Sequence, residues 1–408
     1  MVLSLVCSAS FSEFARAADW SRFRGENGSG QTADALPLNW NASTTKWAVD
    51  LPGMGNGSPI VVKGHVYLQA ASKDGSQRHL VSLNASTGKR EWLTTISGKP
   101  AHVHVKNSLA SSTPACDGER IYALFWDGDT VTLYGFDLAG KELWKKKLGG
   151  YVSQHGVGSS PIVVNGKVIV NYDQDGAAEI VAFDGKSGNK AWSASRKAFR
   201  ACYSTPFMHG KNLVVSSTAG LTGYDPDSGT VVWNWEWKFD GMALRTVGSA
   251  CEAGKLIVAI SGDGSGARHT VVVDPESPMN ASKPELKWEK KKDTPYVPGP
   301  IALGDSLYWV TDAGMAMCLE LKTGKVVWSE RLFSKPVSAS LILTQSTSNE
   351  PLVLAISETG QSAFFKATPG GFEKVSENNL KDAVFATPAV ADGRLYVRTG
   401  RQLVCIGK

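Results

Sequence analysis

The sequence predicts an all-β protein: an eight-bladed β-propeller of four-stranded antiparallel blades, closed by pairing the N-terminal strand with the C-terminal blade. Two recurring patterns and a mismatch between the chain ends lead to this prediction. Short apolar runs separated by Gly-containing turns recur along all 408 residues, and no segment has convincing helical periodicity. A repeat of about 45 residues with this character is typical of propellers.

The first pattern is a small residue, usually followed by Pro, then an apolar run, a turn with Gly and a second apolar run. Residues 58–67 (SPIVVKGHVY) and 160–168 (SPIVVNGKV) are clear copies. Two β-rich runs around such a turn predict a hairpin. Eight copies are anchored at residues 59, 114, 161, 206, 250, 300, 341 and 388, which predicts eight blades.

The second pattern is an acidic or amide residue, a turn, a Gly, and a Trp four residues after the Gly. Asp or Asn can cap such a turn, and Gly supplies its positive φ. We expect each Trp ring to lie on the outermost strand and to dock against the neighbouring blade. The unit around residues 337–378 has Phe372 where Trp is expected. The blade-docking candidates are Trp47, Trp92, Trp144, Trp192, Trp233, Trp288 and Trp328.

The chain ends predict how the ring closes. The last unit ends at Lys408 after three predicted strands and lacks a Trp strand, whereas residues 46–51 (KWAVDL) match a Trp strand and have no unit before them. The strand of Trp47 therefore completes the last blade, which leaves no open sheet edge. The predicted divisions are a signal peptide at residues 1–18, an N-terminal arm at 19–45 and the propeller at 46–408.

The signal peptide prediction implies a periplasmic or extracellular protein. Residues 2–11 form a short apolar run, and Ala15-Arg16-Ala17 fits a small-x-small cleavage site. No Lys or Arg precedes the run, so a non-cleaved arm is the alternative. No segment is long and apolar enough to predict a transmembrane span. The net charge of +5 is scattered, which argues against nucleic-acid binding, and we expect a monomer.

The pattern PIVVNGKVIV…AFDGKSGNKAW, at residues 161–170 and 182–192, resembles the PQQ-like (quinoprotein-type) β-propeller repeat. The resemblance covers about residues 46–408. The lead-in DWSRFRG at residues 19–25, with Leu36-Pro37 and Trp40, is similar to that of secreted propellers of planctomycete-type bacteria. The resemblance implies the fold but leaves function open, because function lies in sites grafted onto a fold.

Two kinds of relative suggest different functions. BamB-like members are non-catalytic scaffolds, whereas quinoprotein dehydrogenases hold PQQ and Ca²⁺ over the channel beside a vicinal Cys-Cys disulfide. This chain has no adjacent cysteines and no dense acidic set for a hard cation. Nucleophile and phosphate-loop motifs are also absent, so no catalytic residue is predicted.

Binding residues are expected in the loops that join the outer strand of one blade to the inner strand of the next, because these loops crowd around one mouth of the channel. One interpretation is a polar pocket for an anionic or sugar-like ligand, with Arg200 and Arg245 as bidentate donors. A metal site would need His104, His155 and a further ligand such as His102. Alternatively, these residues only bond loop carbonyls. The candidates are His102, His104, Asn107, Gln154, His155, Arg200, Tyr203 and Arg245.

The sequence therefore predicts a non-catalytic exported propeller that binds a protein or glycan partner through its channel face, with neither cofactor nor metal. The alternative is a PQQ-dependent quinoprotein oxidoreductase of the alcohol or sugar dehydrogenase type.

Overall fold

The computed structural model describes residues 19–276 and 283–408. The signal peptide prediction for residues 1–18 lies outside the described residues. Eight sheets succeed one another along the chain, and at four of the junctions between neighbouring sheets the inner strands contact each other. The predicted eight-bladed propeller is confirmed. Its described residues contain one 3₁₀ turn, Glu26–Gly28, and no α-helix.

Two strands precede the first complete blade, β1 (Gln31–Ala35) and β2 (Thr45–Asp50). The strands of the first four blades run from the centre outwards in chain order. Blade 1 comprises β3 (Ile60–Val62), β4 (His65–Ala71), β5 (Gln77–Asn84) and β6 (Arg90–Ser97). Blade 2 comprises β7 (Ala115–Cys116), β8 (Arg120–Trp126), β9 (Thr130–Asp137) and β10 (Glu142–Gly150). Blade 3 comprises β11 (Ile162–Val164), β12 (Lys167–Tyr172), β13 (Ala178–Asp184) and β14 (Lys190–Arg196). Blade 4 comprises β15 (Phe207–His209), β16 (Asn212–Ser216), β17 (Gly220–Tyr224) and β18 (Val231–Glu236).

The last four blades complete the ring. Blade 5 comprises β19 (Cys251–Ala253), β20 (Leu256–Gly262), β21 (Arg268–Asp274) and β22 (Glu285–Lys290). Blade 6 comprises β23 (Ile301–Leu303), β24 (Ser306–Val310), β25 (Met315–Glu320) and β26 (Val326–Arg331). Blade 7 comprises β27 (Ile342–Gln345), β28 (Pro351–Ile356), β29 (Gln361–Lys366) and β30 (Lys374–Asn379). Blade 8 comprises β31 (Ala389–Ala391), β32 (Arg394–Arg398) and β33 (Gln402–Ile406), with β2 as its outer strand.

The ring closes as the chain ends predict. Strand β2 pairs antiparallel with β33, from Thr45 opposite Ile406 to Asp50 opposite Gln402. The middle strands of each blade are buried on both faces by neighbouring blades, which explains their nearly continuous apolar sequences. Outer strands alternate between buried and exposed residues, because one face packs on the next blade and the other meets solvent.

A tryptophan on the outer strand bonds six of the eight blades to the next blade. In blade 4, Trp233 is buried, but its Nε1 has no hydrogen-bond partner among the described residues. The Trp144 Nε1 donates to the Gly185 carbonyl at 3.0 Å, in the last turn of the next blade. Its ring lies on Gly188, which has φ +68° and where a Cβ would be 2.6 Å from the ring. The Gly of the motif thus serves both the turn and the neighbouring Trp. The same donation links Trp47, Trp92, Trp192, Trp288 and Trp328 to the carbonyls of Ala85, Leu138, Pro226, Leu321 and Thr368.

Blade 7 departs from the pattern. The register of its outer hairpin places Ser376 opposite Phe364, which is the Trp position, so Phe372 does not replace the Trp as expected. Instead, Phe372 lies where other blades have Gly, and Trp328 of blade 6 packs against it at 5.4 Å. The N-terminal arm supplies an indole to blade 7, because Trp40 packs edge-on against Phe364 at 6.2 Å.

Residues 19–35, which we call the plug, occupy the centre of the ring. Inner strands have no neighbour on their central side, and the plug pairs with their otherwise unpaired backbone groups. Strand β1 adds to β27 in parallel and makes blade 7 five-stranded. The plug also bonds to Val61, Cys116, Met208, Ala302 and Gly393, on the inner strands or turns of blades 1, 2, 4, 6 and 8.

Two buried arginines of the plug reach further carbonyls at the starts of inner strands. Arg22 Nη2 donates to the Pro206 carbonyl at 2.5 Å, and Arg24 Nη2 donates to the Pro300 carbonyl at 2.6 Å. Burial lowers the pKa of Arg22 to about 9. The plug therefore joins blades that lie far apart around the ring.

No helix within residues 19–276 and 283–408 has both the length and the apolar character needed to cross a bilayer.

Two glycines of blade 3 test the Trp contact. Gly166 and Gly188 have φ values of +71° and +68°, but only Gly188 lies under a Trp ring. We expect Gly166→Ala to lower the free energy of unfolding by about 1–2 kcal/mol through backbone strain. Gly188→Ala should cost about 1–3 kcal/mol more, because its methyl overlaps Trp144. Urea unfolding of both variants measures the difference; equal losses would contradict the proposed role of the ring.

Candidate binding cavity at the channel mouth

Eight mouth loops join each outer strand to the next inner strand and surround one end of the channel. These are residues 51–59, 98–114, 151–161, 197–206, 237–250, 291–300, 332–341 and 380–388. They enclose a cavity of about 250 Å³. Phe23 of the plug contributes to its lining, so the channel ends in a pocket and does not pass through the ring.

Seven of the hydroxyl groups that line this cavity share one position in the repeat, and we call these seven the hydroxyl ring. They belong to the small residues of the first sequence pattern, seven of which are Ser or Thr. In five junctions, a backbone N–H of one blade donates to the hydroxyl of the next; for example, Ser58 N donates to Thr113 Oγ1 at 2.9 Å. The hydroxyl ring comprises Ser58, Thr113, Ser160, Thr205, Ser249, Ser340 and Thr387. The repeated hydroxyl is visible in the sequence at a position where the pattern requires only a small residue.

The structure brings His104 and His155 together, with ring centroids 4.7 Å apart. Asn107 Nδ2 donates to the His155 carbonyl at 2.6 Å and holds the loop of residues 98–114 against the next mouth loop. Tyr203 also lines the cavity, and its hydroxyl meets Ser153 Oγ at 2.7 Å. Four of the eight candidates, His104, Asn107, His155 and Tyr203, therefore lie on the cavity lining.

The other four candidates lie off the lining. Arg245 is buried and donates to the Ala201 carbonyl at 3.2 Å and to Gln154 Oε1 at 3.4 Å. Arg200 donates to the Ala243 carbonyl at 3.3 Å. Both guanidinium groups are thus engaged with loop carbonyls, and His102 is exposed and does not reach the cavity.

Two arginines behind the cavity wall lie near enough to His155 to affect its protonation. The pKa of His155 falls from its ordinary 6.5 to about 4, first because of burial and then because of Arg245, His104 and Arg200. The imidazole is therefore neutral at pH 7. Burial raises the pKa of Tyr203 to about 12, so this phenol keeps its proton.

The loop of residues 98–114 also reaches across the mouth. Lys106 Nζ pairs with Glu358 Oε1 of blade 7 at 2.7 Å, and Ser338 Oγ donates to the same carboxylate oxygen at 2.5 Å. Asn56 Nδ2 donates to the Lys106 carbonyl at 3.0 Å. The loop is therefore held on both sides of the cavity.

The lining does not match a PQQ and calcium site. None of the described residues that line the cavity is acidic, and none is Trp. No group of three His, Cys, Asp or Glu suited to a metal occurs among residues 19–276 and 283–408. The described cysteines are buried and unpaired, so no disulfide faces the cavity.

Apolar side chains are exposed on five successive mouth loops, and we call them the apolar arc. They are Met54, Val105, Val152, Phe199 and Met242, with exposed fractions of 60%, 89%, 60%, 65% and 73%. Monomers normally expose large apolar residues singly, so a run along one face marks a surface suited to binding.

These features define a closed eight-bladed propeller with a plugged channel and a mouth lined by eight loops. A family model described as outer membrane protein assembly factor BamB matches residues 37–148 and 104–330, more than half of the chain. The chain belongs to this family.

Individual relatives are more distant. BamB of Shewanella oneidensis is 26% identical over 177 residues, and the match spans 40% of this chain and 42% of that relative. BamB from Moraxella catarrhalis has TM-score 0.63 and 14% identity, covering 90% of this chain and 98% of its own. A europium-containing methanol dehydrogenase has TM-score 0.69 and 13% identity, and the match covers 95% of this chain and 91% of the dehydrogenase. A quinohemoprotein alcohol dehydrogenase from Comamonas testosteroni has TM-score 0.67 and 15% identity, and the match covers 97% of this chain and 82% of the dehydrogenase. At these identities the structural likenesses show the fold alone.

The lowered pKa of His155 makes two predictions. The unfolded chain protonates His155 near pH 6.5, but the folded protein protonates it only near pH 4. The free energy of unfolding should therefore decrease as the pH falls from about 6.5 to about 4.

Arg200→Gln should raise the pKa of His155, because it removes a nearby cation. Histidine-ring NMR titration measures the shift, with Arg401→Gln, an exposed arginine paired with Asp382, as the control. An unchanged His155 pKa in Arg200→Gln would contradict this account.

Proposed function

We propose that this protein is a non-catalytic, exported scaffold that binds a protein partner through its mouth. The apolar arc carries the proposal. The five exposed side chains come from successive loops and therefore follow one sector of the mouth. Three of them are Met or Phe, side chains that are enriched at protein interfaces.

Charge around the arc suggests the chemistry of the partner. Phe199 and Met242 lie on neighbouring loops that the Arg200 bond to Ala243 holds together. Lys197 and Lys238 flank them and have no ion-pair partner among the described residues. An apolar segment bearing carboxylates would bury the arc and meet these cations.

The family supports a protein partner. Its description names outer membrane protein assembly, and we propose a role of that kind for this chain. The proposal includes location outside the cytoplasm, in the periplasm or beyond. A glycan partner for the arc is less well supported, because four of its five side chains are Val or Met and only Phe199 offers a flat ring on which a sugar can stack.

A crosslinking experiment and an affinity measurement test whether the mouth is the docking surface. A photo-crosslinking amino acid at position 242, in the native host, should form an adduct with one protein, whereas the same group at Val232, on the outer strand of blade 4, should not. Phe199→Ser with Met242→Ser should raise the Kd of that purified partner at least about tenfold, because each buried apolar side chain contributes about 1.5–3 kcal/mol.

Val231→Ser with Val232→Ser is the control for this measurement. These valines are exposed to 45% and 51%, but they lie on the circumference. Equal affinity of both double variants for the partner would overturn the proposal that the mouth is the docking surface.

We also propose that the cavity does not take PQQ with Ca²⁺, since its lining offers no carboxylate to the cation. Purified protein incubated with both should show no stoichiometric uptake by absorbance and no dye-linked oxidation of alcohols or sugars. A quinoprotein alcohol dehydrogenase reconstituted in parallel is the positive control. Saturable PQQ uptake at one per chain would favour the oxidoreductase alternative.

A further inference from the structure

The hydroxyl ring has hydrogen-bonding capacity that the fold does not use. A hydroxyl has one proton to donate and two lone pairs. Thr113, Ser160, Ser249, Ser340 and Thr387 each accept a backbone N–H, and their own protons have no acceptor among the described residues. The side-chain hydroxyls of Ser58 and Thr205 have no protein partner in that part of the chain. Seven donors therefore border one cavity.

Aromatic rings border the same space. Phe23 lies on the lining from the plug, and Tyr203, Tyr296 and Phe385 lie on it from three mouth loops. Tyr203 is held by Ser153, and the Tyr296 backbone N–H donates to Asp312 Oδ2 at 2.7 Å. The Arg268 guanidinium lies over the Tyr296 ring at 5.0 Å. Tyr203 and Tyr296 are therefore held before any ligand arrives, which reduces the entropy cost of binding.

The lining offers no free charge to a ligand. Lys106 is its one ammonium group, and this group pairs with Glu358. Arg200 and Arg245, the cations first considered as ligand donors, donate to carbonyls behind the wall. A charged ligand would have to leave water without a matching partner at the surface it touches, and this is costly.

We propose that the cavity binds an uncharged pyranose, a single sugar ring or the end of a glycan. The apolar C–H face of such a ring can lie against the aromatic side chains, and its hydroxyl and ring oxygens can accept from the hydroxyl ring. The volume of about 250 Å³ is sufficient for one sugar ring. This site is independent of the protein-docking surface on the apolar arc.

Saturation-transfer NMR on the full chain tests the site. The probes are methyl β-glucoside, methyl β-galactoside and N-acetylglucosamine, with glucuronate as the charged analogue, glycerol as a polyol without a ring face and cyclohexanol as a ring without the polyol. We expect saturable binding of at least one uncharged pyranose, and weaker binding of the other three compounds. Absence of binding by every pyranose up to about 50 mM overturns the proposal, and so does preference for glucuronate or cyclohexanol.

Variants localise the binding. Thr205→Val and Ser58→Ala remove hydroxyls that have no protein partner, so folding should be unaffected, and each should weaken the bound pyranose about three- to tenfold. Phe23→Leu should weaken it similarly by removing a ring face. Phe199→Ser with Met242→Ser should leave pyranose binding unchanged, which separates this site from the docking surface. Unchanged affinity in Thr205→Val, Ser58→Ala and Phe23→Leu would place any sugar elsewhere and refute the proposal.

Discussion

The stacking of a tryptophan on a glycine of the next blade is the contact on which the ring depends. In blades 1, 2, 3 and 6 the outer hairpin takes part in two interfaces, because its Gly lies under the Trp of the preceding blade and its own Trp packs on the following blade. For example, Gly88 lies under Trp47, and Trp92 lies on Gly140. The indole needs a residue without Cβ beneath it and a carbonyl beside it, and a tight turn with positive φ provides both. Repeating this contact sets a constant relation between blades, so the ring closes when the N-terminal strand restores the missing Trp. Where the pattern fails, in blade 7, an indole from the arm packs in its place.

In a closed ring the inner strands direct unpaired backbone N–H and C=O groups toward the centre, and burying such groups without a partner costs free energy. The plug supplies partners by pairing with six blades, and its buried arginines satisfy carbonyls that water would otherwise have to reach. The consequence is functional as well as structural. With the axis filled by its own chain, the protein offers a blind cavity and a loop-lined mouth, and the loops, which the ring does not need for closure, are available for binding.

The repeat pattern predicted the number of blades and the strand that closes the ring, because each hairpin is local and residues adjacent in the sequence determine its turn. It did not predict the plug. The contacts of the plug join residues such as Asn27 and Met208, which are 181 positions apart, and such contacts produce no repeating pattern in the sequence. For the cavity, loop position alone selected His104, Asn107, His155 and Tyr203. The same argument selected Arg200 and Arg245, but whether a long side chain faces the cavity or a neighbouring carbonyl depends on packing that a loop sequence does not encode.

By itself, the sequence determined the strands, the turns, six of the seven docking tryptophans and the partner strand of the last blade, since each follows from residues a few positions apart or from a pattern that repeats. Only the tertiary structure decided that the hydroxyl of the small-residue position faces a shared cavity, that the lead-in segment fills the channel, and that five exposed apolar residues lie on one face. These features arise from residues that are distant in the chain and become neighbours when eight blades share one axis.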